Sequence, residues 1–105
     1  MITLTDQPFD AGEVLGGFCK GRTETGAVAS FVGIARGEQG AATALELEAY
    51  EGFTDVEIAR FADAAKVRFG LHDYLIVHRI GRIAPGEAVV FVATASGHRR
   101  EAFEA

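Results

Sequence analysis

The chain has 105 residues, of which 49% are hydrophobic and 24% charged, and these values suit one folded domain over residues 1–105 rather than a disordered chain. Its 15 acidic residues outnumber its 10 basic ones, and a formal net charge of -5 argues against a general nucleic-acid or anionic-membrane binder. The single cysteine excludes an internal disulfide, and the sequence shows neither a signal-peptide pattern nor a transmembrane run, so we expect a cytoplasmic protein.

The N-terminal part of the chain predicts a strand followed by a helix. Residues 2–5 favour a short strand. Asp10 and Glu13 have the spacing of a capping box, which predicts a helix that starts after Asp10 and runs to about Lys20. Cys19 lies on the apolar face of this helix, and we expect it to be a small core residue rather than a nucleophile.

Two further strands are predicted before the chain midpoint. Residues 26–33 are β-rich and apolar on both faces, which indicates a buried strand. Residues 34–43 are polar and contain glycine, so we predict a mobile loop there. Residues 45–50 alternate between apolar and polar side chains, which is typical of a half-buried strand.

The longest helix is predicted next, over residues 54–69. Thr54 and Glu57 form its capping-box pair, apolar residues recur at helical spacing, and Gly70 stands where a left-handed C-cap belongs. A strand over residues 74–80 follows.

The C-terminal part predicts a turn, a strand and a short helix. Pro85 and Gly86 mark the turn, and residues 88–95 form a near-continuous apolar run that indicates a central strand. Ser96 is the predicted cap of a helix that begins at residue 97 and ends with the chain. This last helix is either a frayed terminus or part of an element that was once longer.

The element order β-α-β-β-α-β-β-α predicts an α+β fold. We expect a mixed α/β sandwich with a largely antiparallel sheet and helices packed on one face. An uncovered face or edge of this sheet would be buried against a second copy.

Basic residues collect near the end of this otherwise acidic chain. Between residues 78 and 100 there are four arginines and two histidines against one acid. Guanidinium groups bind phosphate or carboxylate in a bidentate manner, so this clustering favours an anionic ligand, although any one of the arginines could be solvated or paired with surface acids.

The strongest local signal is the corner formed by residues 96–99. His98 and Arg99 stand where a strand ends and a helix begins, and free backbone N–H groups at such a point favour an anion. Arg36 is a second candidate because it follows a strand in a glycine-containing loop. The three histidines lack metal-ligand spacing, so we expect no metal site.

Several blocks of the sequence carry a family resemblance. They are residues 8–10 (PFD), 26–36 (GAVASFVGIAR), 45–50 (LELEAY), 78–81 (HRIG), 85–87 (PGE) and 96–103 (SGHRREAF). Taken together and in this order, they closely resemble the MoaE family, the large subunit of molybdopterin synthase.

The resemblance implies an α/β hammerhead-type fold that forms a homodimer. It also implies a small ubiquitin-like partner, MoaD, whose C-terminal Gly-Gly tail carries a thiocarboxylate. In this family the tail delivers sulfur to cyclic pyranopterin monophosphate, and two sulfurs are installed as the dithiolene of molybdopterin. Neither a metal nor another cofactor is implied for this step.

The family's substrate pocket maps onto two places in the sequence. Its first stretch matches Ile34, Ala35 and Arg36, and its His-Arg pair matches His98 and Arg99. By resemblance, Arg36 and Arg99 hold the phosphate or the charge that develops on the substrate, and His98 orients the substrate or shuttles a proton. Only the backbone of Ile34 is expected to contribute. We expect these positive groups to meet in space around a phosphorylated small molecule.

The chain departs from the family at its C-terminus. The family continues into a longer helix and a segment that bears catalytic lysines, whereas this chain stops at Ala105, and its lysines, Lys20 and Lys66, lie in other elements. We therefore expect a truncated MoaE-like domain with reduced or absent sulfur transfer on its own. The alternative function is a dimeric binding module that keeps the anion pocket and the small-subunit surface but does not turn over.

Overall fold

The computed structural model describes the backbone of residues 1–36, 45–47 and 54–105. Within these residues the elements are, in chain order, β1 (Ile2–Thr5), α1 (Ala11–Cys19), β2 (Ala27–Ile34), β3 (Leu45–Leu47), α2 (Thr54–Phe69), β4 (Asp73–Arg79), β5 (Gly81–Ile83), β6 (Ala88–Ser96) and α3 (Arg99–Glu104). No helix of the described ranges has the length and apolar character needed to span a membrane.

The main sheet has the strand order β1-β4-β6-β2. β1 pairs with β4 in parallel, whereas β4 with β6 and β6 with β2 are antiparallel. β3 and β5 form a separate two-stranded antiparallel ribbon. The predicted α+β fold with a largely antiparallel sheet is therefore confirmed, and so is the central position of the strand that contains residues 88–95.

One face of the sheet carries the core under α1. Successive residues of β6 point to opposite faces, and its residues Phe91, Ala93 and Ala95 are completely buried on this face. They pack with Phe18 of α1 in a single apolar cluster. Burial of this apolar surface is the main force that holds α1 to the sheet.

The other face of the sheet carries α2 and α3. Thr94 of β6 donates its hydroxyl hydrogen to the Ala102 carbonyl oxygen of α3 at 2.6 Å. Tyr74, the cross-strand neighbour of Thr94, donates its hydroxyl hydrogen to Asp63 of α2 at 2.7 Å. The prediction that helices share one face thus holds for α2 and α3, while α1 lies on the opposite face.

Helix ends follow the local sequence signals in two cases. The Asp10 carboxylate accepts a hydrogen bond from the Glu13 backbone N–H at 3.1 Å and so caps α1. At the end of α2, Gly70 has φ +62°, and the Leu71 N–H reaches the Lys66 carbonyl oxygen at 3.0 Å in a Schellman-type closure. The Thr54 half of the capping box predicted for α2 lies outside the described side chains.

Three predictions about individual residues and segments are wrong. The strand over residues 26–33 exists as β2, but it lies at the sheet edge, and its Phe31 side chain is 63% exposed rather than buried. Cys19 is exposed at the end of α1. Ser96 does not cap α3, because it is the last, buried residue of β6 and the N-cap position is taken by His98.

The loop and strand predicted between residues 34 and 50 are described only in part. Ile34 ends β2 instead of starting a loop, and residues 45–47 are a strand as predicted. Residues 37–43 of the predicted loop and residues 48–50 of the predicted strand lie outside the described residues. β5 was not predicted, since a strand of three residues that begins with Gly81, which has φ +78°, is too short for a periodic pattern.

Candidate functional site

The corner at residues 96–99, after β6, is formed where the backbone of Gly26 packs against Ser96 and Gly97. His98 has extended dihedral angles (φ -134°, ψ 147°), and its side chain makes no capping hydrogen bond. The side chains of His98 and Arg99 are both exposed. The Gly26 N–H donates to the Ser96 carbonyl oxygen at 3.0 Å. A Cβ added at Gly26 would lie 2.1 Å from the Gly97 carbonyl oxygen, so only glycine permits this close approach.

His72 lies beside the same corner, and the sequence analysis did not connect it with this place. Its backbone N–H donates to the Ala95 carbonyl oxygen at 2.7 Å, and its ring Nδ1 lies 2.9 Å from the Thr25 hydroxyl. Its Nε2 atom would lie 3.8 Å from a Cβ built at Gly97. The corner therefore carries two imidazoles, and because His72 comes from the turn after α2, no local sequence pattern relates it to His98.

The other candidate residues follow β2. Ile34 is 60% exposed, Ala35 is buried and Arg36 is exposed. Both peptide groups of Ala35 are held by the turn before β6: its N–H donates to the Glu87 carbonyl oxygen at 2.9 Å, and its carbonyl oxygen accepts from the Gly86 N–H at 2.8 Å. Arg36 therefore directly follows a residue whose backbone is held by two hydrogen bonds.

One chain does not bring the two groups of candidates together. In the antiparallel ladder of β2 and β6, Ala27 is paired with Ser96 and Ile34 with Ala88. Arg36 therefore lies beyond one end of the ladder and His98 beyond the other. At about 3.3 Å per residue, the seven steps between the two ends span roughly 23 Å.

The arginine-rich region is divided between the same two ends. β4 is antiparallel to β6, with His78 opposite Val90, so Arg79 at the end of β4 lies towards the Arg36 end. Arg99 and Arg100 lie at the opposite end, where Arg100 pairs with Glu104 across one helical turn at 3.2 Å. The expected single cluster of arginines is not formed within one chain.

The described residues also offer an apolar groove next to β2. Its volume is about 340 Å³, and its walls include Phe31 of β2, Thr94 of β6 and Phe103 of α3. Phe31 and Phe103 are both largely exposed. Across the described ranges, no three Asp, Glu, His or Cys side chains come close enough to hold a metal ion.

Comparison with known proteins gives this geometry its context. The family model described as MoaE protein matches residues 4–105. The chain belongs to the MoaE family. It is 67% identical over 105 residues to the molybdopterin synthase catalytic subunit of Caulobacter vibrioides, a match that covers 100% of this chain and 70% of that relative.

Solved MoaE structures share the fold. The MoaE protein from Burkholderia ambifaria superimposes with a TM-score of 0.87 at 35% identity, over 99% of this chain and 69% of that one. A complex of subunits 1 and 2 of molybdopterin-converting factor from Helicobacter pylori aligns with a TM-score of 0.83 at 21% identity, over 98% and 70% of the two chains, and so supports the fold alone. The chain spans 65–70% of the length of three curated MoaE relatives.

Proposed function

We propose that this chain, as one MoaE domain over residues 1–105, is the large, catalytic subunit of a cytoplasmic molybdopterin synthase, a sulfurtransferase of molybdenum cofactor biosynthesis. It transfers sulfur from the C-terminal thiocarboxylate of a small MoaD-type subunit to cyclic pyranopterin monophosphate and so forms the dithiolene of molybdopterin. The observation that carries this proposal is the 67% identity, over the whole chain, to a molybdopterin synthase catalytic subunit.

The proposed substrate site consists of two groups of residues. Arg36, with the backbone of Ile34 and Ala35, forms the first group, and His98 with Arg99 forms the second. The arginines hold the phosphate and the charge that develops during sulfur transfer, because a guanidinium binds an anion through two parallel hydrogen bonds. His98 orients the substrate or moves a proton near neutral pH.

We further propose that a homodimer joins the two groups. A single chain separates them by the length of the β2–β6 ladder. If β2 meets β2 of a second copy across a two-fold axis perpendicular to the strands, the two strands run antiparallel, and Arg36 of one copy lies at the Ala27 end of the other. The exposure of Phe31 (63%) and of Ile34 on this edge strand supports such a contact.

Mixing two variants tests whether the groups meet across the dimer. Arg36→Ala and Arg99→Ala each remove one group, and we expect each homodimer to bind cyclic pyranopterin monophosphate much more weakly than the wild type. After subunit exchange, half of the dimers contain both variants and each of these has one intact site, so tight binding returns with roughly a quarter of the wild-type stoichiometry. Calorimetric titration of the separate and mixed proteins measures this. A mixture that shows no tight binding after verified exchange would contradict a shared site.

A parallel assay separates catalysis from binding alone. The dimer is incubated with the thiocarboxylated small subunit and the pterin substrate, and molybdopterin is measured alongside substrate affinity. We expect substrate binding and product formed at a reduced rate, because the lysines Lys20 and Lys66 lie in other elements, and we expect both to be weakened further in Arg36→Ala and Arg99→Ala. Substrate binding without product would favour the binding-module alternative, and unimpaired transfer in both variants would remove the site assignment.

A further inference from the structure

Two sequence blocks that carry the family resemblance have no role in the proposed site, and the structure joins them. They are residues 78–81 and 85–87. Arg79 of the first block is only 2% exposed, and its Nη1 atom lies 3.8 Å from an oxygen of Glu87 in the second. The Nη2 atom of Arg79 donates to the Arg82 carbonyl oxygen of β5 at 3.0 Å. One guanidinium therefore contacts both β5 and the turn before β6.

Glu87 connects this buried arginine to the strand end that carries Arg36. One oxygen of its carboxylate accepts from the Ala84 N–H at 2.7 Å and closes the turn, while the other faces Arg79. The Glu87 backbone carbonyl oxygen accepts from the Ala35 N–H at 2.9 Å. A continuous series of contacts thus runs from Arg79 through Glu87 to Ala35, the residue before Arg36.

The arginine in this arrangement is poorly satisfied. Nε and Nη1 of Arg79 are buried and have no hydrogen-bond partner. A buried charge with incomplete hydrogen bonding is a weak way to stabilise a fold, and apolar residues of similar volume commonly do as well or better. Stability alone therefore does not explain why an arginine stands at this position.

We infer that Arg79 and Glu87 act as positioning residues for Arg36. Their ion pair stabilises the turn over residues 84–87. This turn hydrogen-bonds the N–H and the carbonyl oxygen of Ala35. The backbone next to Arg36 is therefore fixed in one orientation. The role given to Arg36 rests on the proposed function, whereas the contact between the ion pair and the strand end does not. Such a preformed site avoids the loss of conformational freedom that a mobile arginine would undergo on binding.

Amide hydrogen exchange tests the structural half of this inference. Glu87→Gln removes the charge that faces Arg79 but keeps an oxygen for the Ala84 N–H. In the native homodimer we expect exchange of the Ala35 and Gly86 amides to accelerate about tenfold, because both are held by the turn. Glu104→Gln, the same change in an exposed pair at the far end of the sheet, leaves these two amides unchanged.

The result that overturns the inference is equally specific. If Glu87→Gln leaves the exchange of Ala35 and Gly86 within twofold of the wild type, the ion pair does not hold the strand end. Arg79→Lys keeps the charge but lacks the two terminal nitrogens with which a guanidinium contacts Arg82 and Glu87 together. For the Ala35 and Gly86 amides of this variant we expect an exchange rate between those of the wild type and Arg79→Met. Should Arg79→Met not fold, the Glu87→Gln comparison still decides.

A double-mutant cycle tests whether the effect passes through Arg36. Titration with cyclic pyranopterin monophosphate is expected to show about fivefold weaker binding for Glu87→Gln, and no further loss when Glu87→Gln is added to Arg36→Ala. An equal loss in both backgrounds would show that Glu87 does not act through Arg36. If Arg36→Ala alone leaves affinity unchanged, the proposed site fails, while the exchange experiment still stands as the test of the ion pair.

Discussion

At the scale of single residues, the ion pair between Arg22 and Asp73 has the clearest electrostatic signature among the described groups. Burial by itself raises the pKa of the Asp73 carboxyl. The hydrogen bond from Arg22 at 2.7 Å, together with a bond from the Tyr74 N–H, outweighs burial and lowers the pKa below its usual value. Arg22 also donates to the Phe18 carbonyl oxygen and lies 4.1 Å from the centre of that ring.

This pair predicts a dependence of stability on pH. Because the pKa of Asp73 is lower in the folded state, its contribution is present above the unfolded value, near 3.8, and is lost as the pH falls through the folded value. The carboxyl is 46% exposed, so solvent screening limits the effect. We expect Asp73→Asn to lower the free energy of unfolding by about 0.5–1 kcal/mol at pH 7.

Urea unfolding of the wild type and Asp73→Asn, at neutral pH and at a series of falling acid pH values, measures this difference. The two proteins should converge as the pH falls below the lowered pKa of the folded state, where the carboxyl is protonated in both states. Glu104→Gln, in the exposed pair with Arg100, is the control and should change stability little at any pH of the series. A gap that persists in acid would mean that Asp73→Asn acts through packing instead.

At the scale of elements, a buried hydrogen bond ties α3 to the sheet, next to its buried residue Ala102. The helix has only six residues, and the Thr94 hydroxyl on β6 holds its Ala102 carbonyl oxygen at 2.6 Å. Thr94→Val keeps the shape but leaves that carbonyl unsatisfied, so we expect a loss of about 1–3 kcal/mol in the free energy of unfolding. Chemical denaturation measures the loss, and Thr23→Val, at an exposed position outside the helices and strands, serves as the control.

Two glycines, one inside α1 and one directly after α2, give predictions of opposite sign. Gly17 lies within α1, and a Cβ added there would meet no other atom within 4 Å. Gly17→Ala should therefore raise the free energy of unfolding by about 0.5–1 kcal/mol. Gly70 also has open space, but its φ of +62° strains any other residue, so Gly70→Ala should lower stability by about 1 kcal/mol. Thermal unfolding of both variants gives the two signs, and a gain at Gly70 would contradict the C-cap.

These elements also show what could be predicted from the sequence. Signals that act within a few residues gave correct results, such as the Asp10 cap of α1 and the Gly70 end of α2. The burial of β2 could not be predicted, because an apolar run does not reveal whether its strand lies inside a sheet or at the edge. Likewise, Ser96 has the chemistry of an N-cap, but strand pairing with Ala27 extends β6 through it.

At the scale of the whole molecule, the sequence predicts candidate site residues but not their separation. Local charge and the family resemblance single out Arg36 and the His98–Arg99 pair, and this assignment stays a prediction. Their distance depends on the register of β2 against β6, which is set by long-range pairing. The contact of Arg79 with Glu87 was missed because it depends on the short strand β5 between them, which was not predicted, although both residues stand in blocks that carry the resemblance.

The exposed edge of β2 predicts the oligomeric state. Phe31→Glu places a charge in the middle of the proposed β2–β2 contact, and burying it there without a partner is unfavourable, so we expect a monomer. Val67→Glu, at an even more exposed apolar position on α2, should leave the dimer intact. Sedimentation velocity over a range of concentrations distinguishes the two. A dimer that survives Phe31→Glu would place the contact elsewhere.

The length of the β2–β6 ladder has a consequence for how the protein responds to dilution. In the proposed homodimer each binding surface takes one cationic end from each copy, because the two ends of one chain lie roughly 23 Å apart along seven strand steps. We expect the affinity for the proposed pterin substrate to fall as the subunits dissociate on dilution, and the bound substrate in turn to favour subunit association. Activity per chain is then expected to rise with the concentration of the chain.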